Sequence, residues 1–393
     1  MLEFKLALKN LLGSGLRTWL NVTVLSIAFV IIIFYNGMLD GWNMQATNDT
    51  RAWETGAGQY WHPDYNPYDP FTFADSHSKM EEGILALEQK EMATPVLITQ
   101  ATGYPGGRLV NILLKGVSPN QKILSIPSHL LKDNPDDPYS IPAIIGNRMA
   151  QNLRLKEGER VLVRWRDANG TFDAREVTIT GVFKTTVPTI DAGQIWIPLE
   201  KLQELTSMTG EATYAVISPN ATDLPEQTKW IYKDDKALLK DLADIMAAKK
   251  GSSRVISSLL LAIALLAIFD TQILSIFRRQ KEIGTYIALG MTRMRVVRLF
   301  TIEGTTHSFL AILVGMAWGI PLLLWIQRNG IPMPANADQA GVAIADKITP
   351  YYGGGMIMAT VLLVVLSSLI VSYMPTKKIS KMKPTDALRG KLV

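Results

Sequence analysis

Few residues in this chain are of types that carry chemistry. Its 393 residues include no cysteine and only four histidines, His62, His77, His129 and His307. The histidines are scattered without ligand spacing, and missing thiols exclude disulfides and thiolate metal sites, so no metal is expected. Serines and acids occur, but none lies in a nucleophile-elbow context. No G-x-x-x-x-G-K-[ST] run is present, since Gly390-Lys391 lacks the first glycine. The chain is therefore expected not to be an enzyme and to bind no cofactor directly. If it uses ATP, the ATPase is another chain.

The conspicuous residues are charges placed among apolar ones. The stretch SIFRRQKEIGTYIALGMTRMRVVRLFTIEG, Ser275–Gly304, holds six basic residues (Arg278, Arg279, Lys281, Arg293, Arg295, Arg298) and two acids, Glu282 and Glu303. Between them lies a short helix-like patch, Glu282–Gly290. Ile283, Ile287 and Leu289 offer apolar contacts, and Gly284, Ala288 and Gly290 allow close approach of a partner surface. Arg293 and the arginines after it can anchor to lipid headgroups or to acids of a partner. Two readings fit this pattern: a docking element, or a basic loop that only orients the helices around it. Asp270 is the other charge of note. It interrupts an apolar run, where an ionised carboxylate costs about 2.5–3.5 kcal/mol at a helix centre. It is expected to face a partner helix, be protonated or pair, with Asn21, Asn36 and His307 as candidate partners.

The elements that hold these residues follow from hydropathy. Four runs are long and apolar enough to cross a bilayer: 20–39, 255–277, 305–326 and 355–374. The first is too long for a signal-peptide core and lacks a small-x-small cleavage site, so it reads as a retained span. Lys and Arg cluster before span one, between spans two and three, and after span four. The 327–354 loop between spans three and four holds only Arg328 and Lys347. By the positive-inside pattern, both termini and the 278–304 segment face the cytoplasm, and the 40–254 block lies outside. The net charge of +5 follows from this topology and does not argue for nucleic acid. Gly315 and Gly319 form a small-xxx-small pair suited to helix packing.

The 40–254 block reads as mixed α and β. Strands are expected at PVLITQATG and GRLVNILLKGV. IPAIIGNRMAQNLRLKEGERVLV reads as strand, helix, turn, strand, and PLEKLQELTSM as a short amphipathic helix. GERVLVRWRDANGTFDAREVTITGVF reads as a hairpin around Asn169-Gly170. The aromatics of QYWHPDYNPYDPF suit packing of a loop onto a sheet, with a ligand patch as the other reading. The flanks, GWNMQATNDTRAWETG and Lys233–Val255, are expected to continue spans one and two as helices. The fold class is thus a membrane protein with four transmembrane α-helices and a large mixed α/β extracytoplasmic domain inserted between helices one and two.

RRQKEIGTYIALGMTRMRVVRLFTIEG closely resembles the coupling segment of the MacB/FtsX-type ABC transporter permeases: a basic pair, Glu-Ile-Gly, a small-Leu-Gly ending, a basic amphipathic helix and Glu-Gly. FKLALKNLLGSGLRTWLNVTVLSIAFV resembles the family's interfacial elbow helix over 1–19 leading into span one. KKISKMKPTDALRG resembles its basic tail over 375–393. LLKGVSPN, IIGNRMAQNLRLKEGERVLV and ITGVFKTTVPTIDAGQIWIPLEKLQEL are similar to segments of the lipoprotein-releasing, Lol-type permeases. RWRDANGTFDARE is shorter than the hairpin of the Lol subunit that hands cargo to a periplasmic chaperone. The resemblance implies a permease in the bacterial inner membrane, paired with a second permease subunit as homo- or heterodimer and driven by a cytoplasmic ABC ATPase dimer that binds ATP and Mg. Glu282, Ile283, Gly284, Ala288, Leu289 and Gly290 match the coupling motif, which implies ATPase contact. The implied work is mechanotransmission that releases lipoproteins from the outer leaflet, with a lipid-anchored or hydrophobic cargo and a periplasmic partner protein as a further candidate. MacB-like efflux and FtsX-like control of a cell-wall hydrolase are the alternatives.

Overall fold

A computed structural model describes residues 16–132, 140–225, 229–332 and 347–381. Most of the expected elbow helix, half of the 327–354 loop and most of the basic tail lie outside the described residues. Five helices frame the apolar part of the chain: α1 (Leu16–Thr50), α2 (Lys240–Arg278), α3 (Gln280–Ala288), α4 (Arg293–Asn329) and α5 (Gly354–Thr376). All but α3 are long and apolar enough to cross a membrane. The chain divides into two compact units, and residues Met44–Asp244 make up most of the second.

In the helical unit, α1 buries Val22, Leu25, Phe29 and Ile33, spaced to share one helix face. A Cβ at Gly319 of α4 would stand 2.6 Å from Val30, and one at Gly315 3.0 Å from Phe29, so this glycine pair lets α4 lie directly on α1. Three polar bridges among the described residues of the helical unit tie α1 to α2: Asn21 Nδ2 donates to Thr271 Oγ1 at 2.6 Å, Ser253 Oγ donates to Asn36 Oδ1 at 3.0 Å, and Lys250 Nζ lies 2.9 Å from Asp40 Oδ1. The weak helix expected after span one is a regular continuation of α1 to Thr50, followed by a π-helical turn, Arg51–Thr55. The basic amphipathic segment and the third span are one unbroken helix, α4, despite Pro321 inside it.

The α/β unit is built on strands β1 (Gly58–Trp61), β2 (Ser78–Lys79), β3 (Ala93–Gly103), β4 (Val110–Val117), β5 (Ile141–Gly146), β6 (Arg160–Arg166), β7 (Phe172–Phe183), β8 (Gln194–Pro198), β9 (Glu211–Ala212), β10 (Tyr214–Ile217) and β11 (Ile231–Asp234). Nine of them form one sheet, ordered β11-β1-β10-β3-β4-β8-β5-β7-β6, and β6 also pairs with β3. Six strands, from β3 round to β6, therefore close into a ring. Closure is possible because β3 is 11 residues long. Its first part pairs with β10 (Ala93↔Ile217), while its end pairs with β6 (Ala101↔Trp165, Gly103↔Val163). Leu114, Ile145, Val163, Trp165 and Ile179 fill the ring. The helix Leu199–Thr206 adds Leu199 and Leu202 to that core, and its Leu205 carbonyl accepts from Trp165 Nε1 at 2.9 Å.

The β6–β7 hairpin forms where Asn169-Gly170 predicts it, with other turn chemistry. The type I′ turn favoured by Asn-Gly needs positive φ at both residues. Only Gly170 has it (φ +84). Asp167 organises the turn: its carbonyl accepts from Gly170 N, and its Oδ1 accepts from the backbone of Asn169 and Thr171. The aromatic loop packs as the first of its two readings expected, with Tyr65 stacked on Tyr214 at 5.7 Å. Tyr68 and Phe71 of the same loop are exposed.

Lys115 of β4 is buried, its Nζ 5.0 Å from the Trp196 ring and 5.9 Å from that of Tyr214. Burial holds its pKa below the ordinary 10.5, with a weaker opposing pull from Glu54. A depressed lysine pKa means the unfolded chain binds the proton more readily. Stability is then lost as pH falls below 10.5, down to the folded value. Lys115→Met should raise the thermal unfolding midpoint at neutral pH, and its advantage over the parent should shrink as pH approaches 10.5. An equal gap at all pH values would show that Lys115 is not the group responsible.

Candidate functional site

The segment linking α2 to α4 is folded tightly rather than left as a loop. Helix α3 ends in a Schellman motif: Met291 N donates to Tyr286 O at 3.0 Å and Gly290 N to Ile287 O at 3.1 Å. That motif needs a left-handed residue, and Gly290 supplies it at φ +95. Gly290 thus has a local structural role besides the close approach expected of it. Beneath α3 lies a small apolar core of Ile276, Ile283, Val296, Val297, Phe300 and Ile379, with Ile287 partly buried against it. Ile283 is fully buried and Gly284 is buried beside it, so these two of the expected contact residues face inward. The outer face of α3 presents Lys281, Thr285, Ala288 and Leu289, the last 81% exposed. Arg293 opens α4 on the exposed side.

Arg279 holds this arrangement together. Its Nε and Nη2 donate to the two carboxylate oxygens of Glu282 at 2.6 and 2.7 Å, and its Nη1 reaches both oxygens of Glu303 at 2.9 Å. The guanidinium also lies 4.7 Å from the buried Phe300 ring. Tyr286 donates its hydroxyl to Glu282 at 2.6 Å. One planar cation therefore bridges a carboxylate on α3 to another on α4, a geometry that suits arginine and not lysine. The bonds from Arg279, and secondarily from Tyr286, hold Glu282 below its ordinary carboxylate pKa, while Glu282 raises Tyr286. A lowered acid pKa makes the brace complete above pH 4.5 and weakens it as pH falls through the folded value. All three charges are visible in the sequence, but their union is not. The Arg279–Glu282 spacing signals a helical i,i+3 pair, whereas Glu303 is joined only by the fold.

Asp270 does not meet its expected partners. It is exposed on α2, while Asn21 bonds Thr271, Asn36 bonds Ser253, and His307 Nδ1 lies 3.2 Å from the carbonyls of Glu303 and Gly304. The helix phase explains this correction: Asp270 shares its face with the exposed Ile263, Leu266, Leu274 and Phe277, and its neighbour Thr271 turns toward α1. Among the described residues no cluster of three or more His, Cys, Asp or Glu that could hold a metal is found. Asn169 and Gly170 lie in the β6–β7 turn of the α/β unit.

Breaking the bridge should leave Glu303, whose side chain is 11% exposed, without its cation. Arg279→Met is expected to destabilise the purified full chain by about 3–5 kcal/mol, the usual cost of orphaning one member of a buried pair. The double change Arg279→Met/Glu303→Met should recover part of that loss, and Arg279→Lys should not. Equal unfolding midpoints for the parent and Arg279→Met would remove the bridge from this account.

Residues 254–384 match a family model described as the FtsX-like permease C-terminal domain. A protein of Neisseria meningitidis serogroup B named lipoprotein-releasing system transmembrane protein LolC is 22% identical over 78% of this chain and 79% of its own length. The macrolide export ATP-binding/permease protein MacB of Bdellovibrio bacteriovorus is 27% identical over 38% of this chain and 22% of its own. The bacitracin export permease protein BceB of Bacillus subtilis is 31% identical over 24% of this chain and 15% of its own.

Proposed function

From an ABC transporter permease of the FtsX/MacB/LolC kind, we propose mechanotransmission: an ATPase in the cytoplasm pushes on α3, and the helical unit passes that push outward to release lipoproteins from the outer leaflet of the inner membrane. The observation that carries this reading is α3 itself. It is a short helix set between two membrane-length helices, locked to α4 through Arg279 and Glu303, with an exposed outer face of Lys281, Thr285, Ala288 and Leu289. An exposed leucine beside small and polar residues suits docking, and the rigid attachment suits transmission of force. A loop serving only topology has no need of a buried core and a bridging cation. ATP and Mg belong to the separate ATPase, and both termini face the cytoplasm with it. The release of lipoproteins rests on the similarity to LolC, which spans both units of the chain, whereas the MacB and BceB matches are shorter.

Asp270 supports the pairing with a second permease subunit. Its carboxylate sits among apolar residues on an outward face, where lipid offers no hydrogen bond. A neighbouring transmembrane subunit with a donor at that depth relieves the cost.

Leu289→Glu should cut co-purification of the ATPase severalfold while leaving the unfolding midpoint of the chain unchanged; unaltered co-purification would reject α3 as the docking helix. Mass spectrometry of material purified with the native complex should find acylated proteins. A cell-wall hydrolase with no acylated cargo would overturn lipoprotein release in favour of hydrolase control. Because the chain has no cysteine, Asp270→Cys can carry a single benzophenone crosslinker. Irradiation in native membranes should yield a covalent adduct with a second permease subunit, and adducts with lipid alone would remove Asp270 from that interface.

A further inference from the structure

The helices α2, α4 and α5 cross at Gly304, and the crossing is polar. A Cβ on Gly304 would stand 2.4 Å from Ser372 Oγ and 2.5 Å from Gln272 Nε2, so a glycine there lets two polar side chains from two other helices close over the α4 backbone. Gln272, Gly304 and Ser372 each lie roughly 7–9 Å along their helix from the nearest basic residue (Arg278, Arg298 and Lys377), inside the apolar layer. One turn deeper, α4 places His307 and α5 places Ser368, because the two helices run in opposite directions. All four side chains are buried: Gln272 is 2% exposed, His307 4%, and Ser368 and Ser372 0%.

Four polar atoms in this cluster find no hydrogen-bond partner in the protein: Gln272 Oε1, His307 Nε2, Ser368 Oγ and Ser372 Oγ. The unmet groups are of complementary kinds. Carbonyls only accept, so the Glu303 and Gly304 oxygens 3.2 Å from His307 Nδ1 place the proton of the neutral imidazole on Nδ1. Nε2 is then an acceptor that lacks a donor, as is Gln272 Oε1. The two serine hydroxyls add donors that lack acceptors. Each unmet group in an apolar surrounding is destabilising, because it has given up water without gaining a partner. Small molecules that both donate and accept would satisfy all four, and lipid would satisfy none.

We propose that the α2–α4–α5 crossing is a binding site for buried water, held by Gln272, His307, Ser368 and Ser372. Water joins the three helices through bonds that re-form in a new geometry, which an interlocked apolar contact does not allow. The crossing begins at Gly304, the residue after Glu303, so the bridge from Arg279 leads directly into it.

Hydroxyl-radical footprinting tests this, since X-rays convert bound water into radicals that label adjacent side chains even when bulk solvent cannot reach them. The probe is water itself, with the full chain in phospholipid nanodiscs. His129, which is exposed, serves as the internal standard. His307 should be oxidised at a rate approaching that of His129, and the double variant Gln272→Leu/Ser372→Ala should lower His307 labelling severalfold without lowering the unfolding midpoint. An unlabelled His307 in the parent chain would overturn the proposal by itself, with no variant needed. Labelling that persists in a folded double variant would also overturn it, because the water would then not be held by these groups.

Discussion

A bilayer offers no hydrogen bonds, and every polar residue in the helical unit has to be accounted for under that constraint. Asn21 and Asn36 are satisfied by Thr271 and Ser253 on the facing helix. Hydroxyls along α4 return their protons to carbonyls of the preceding turn, as Thr301 does to Val297 and Thr305 to Thr301. Glu303, the one acid buried among them, is neutralised by a cation from outside the helix that carries it. The same constraint makes Asp270 and the Gly304 crossing informative, since each departs from it in its own way: one faces outward, the other inward.

Arg279 then has two consequences that follow from one geometry. Its planar fork spans two carboxylates at once, so α3 is fixed to α4 in position and in rotation. Fixing the rotation decides which residues α3 shows. Ile283 and Gly284 turn into the small core with Phe300, and Leu289 turns out. The Schellman ending at Gly290 reverses the chain in few residues, so α4 starts close to where α3 stops. A short helix held in this way behaves as a part of α4 more than as a tether between helices.

Much of this was legible beforehand, for reasons that differ by element. The four long helices declare themselves by apolar length, and the β6–β7 hairpin by its alternation around a turn. The motif Glu282–Gly290 falls on α3 and its cap, yet its sequence does not tell which residues face out, because the phase of a nine-residue helix depends on partners elsewhere in the chain. Gln272, Ser368 and Ser372 gave no local signal, since single polar residues in an apolar run look alike whether they face lipid, a hydroxyl or water. The ring in the α/β unit was equally hidden. Its closure rests on pairing Ala101–Gly103 with Val163–Trp165 across a long stretch of chain, and strand register over such separations is set by the whole sheet.

That ring closure also bears on how chains of this shape can diverge. The last closing pair, Ala101 with Trp165, stands one residue short of the end of β6, and the β6–β7 turn projects beyond it. Extra residues inserted between Arg166 and Phe172 leave every ring pair intact, and the contacts they disturb are the turn bonds around Asp167 and the bond from Ala168 N to Thr206 O. The hairpin is thus an evolutionary growth point. Its length can be selected for what it reaches, independently of the barrel that supports it.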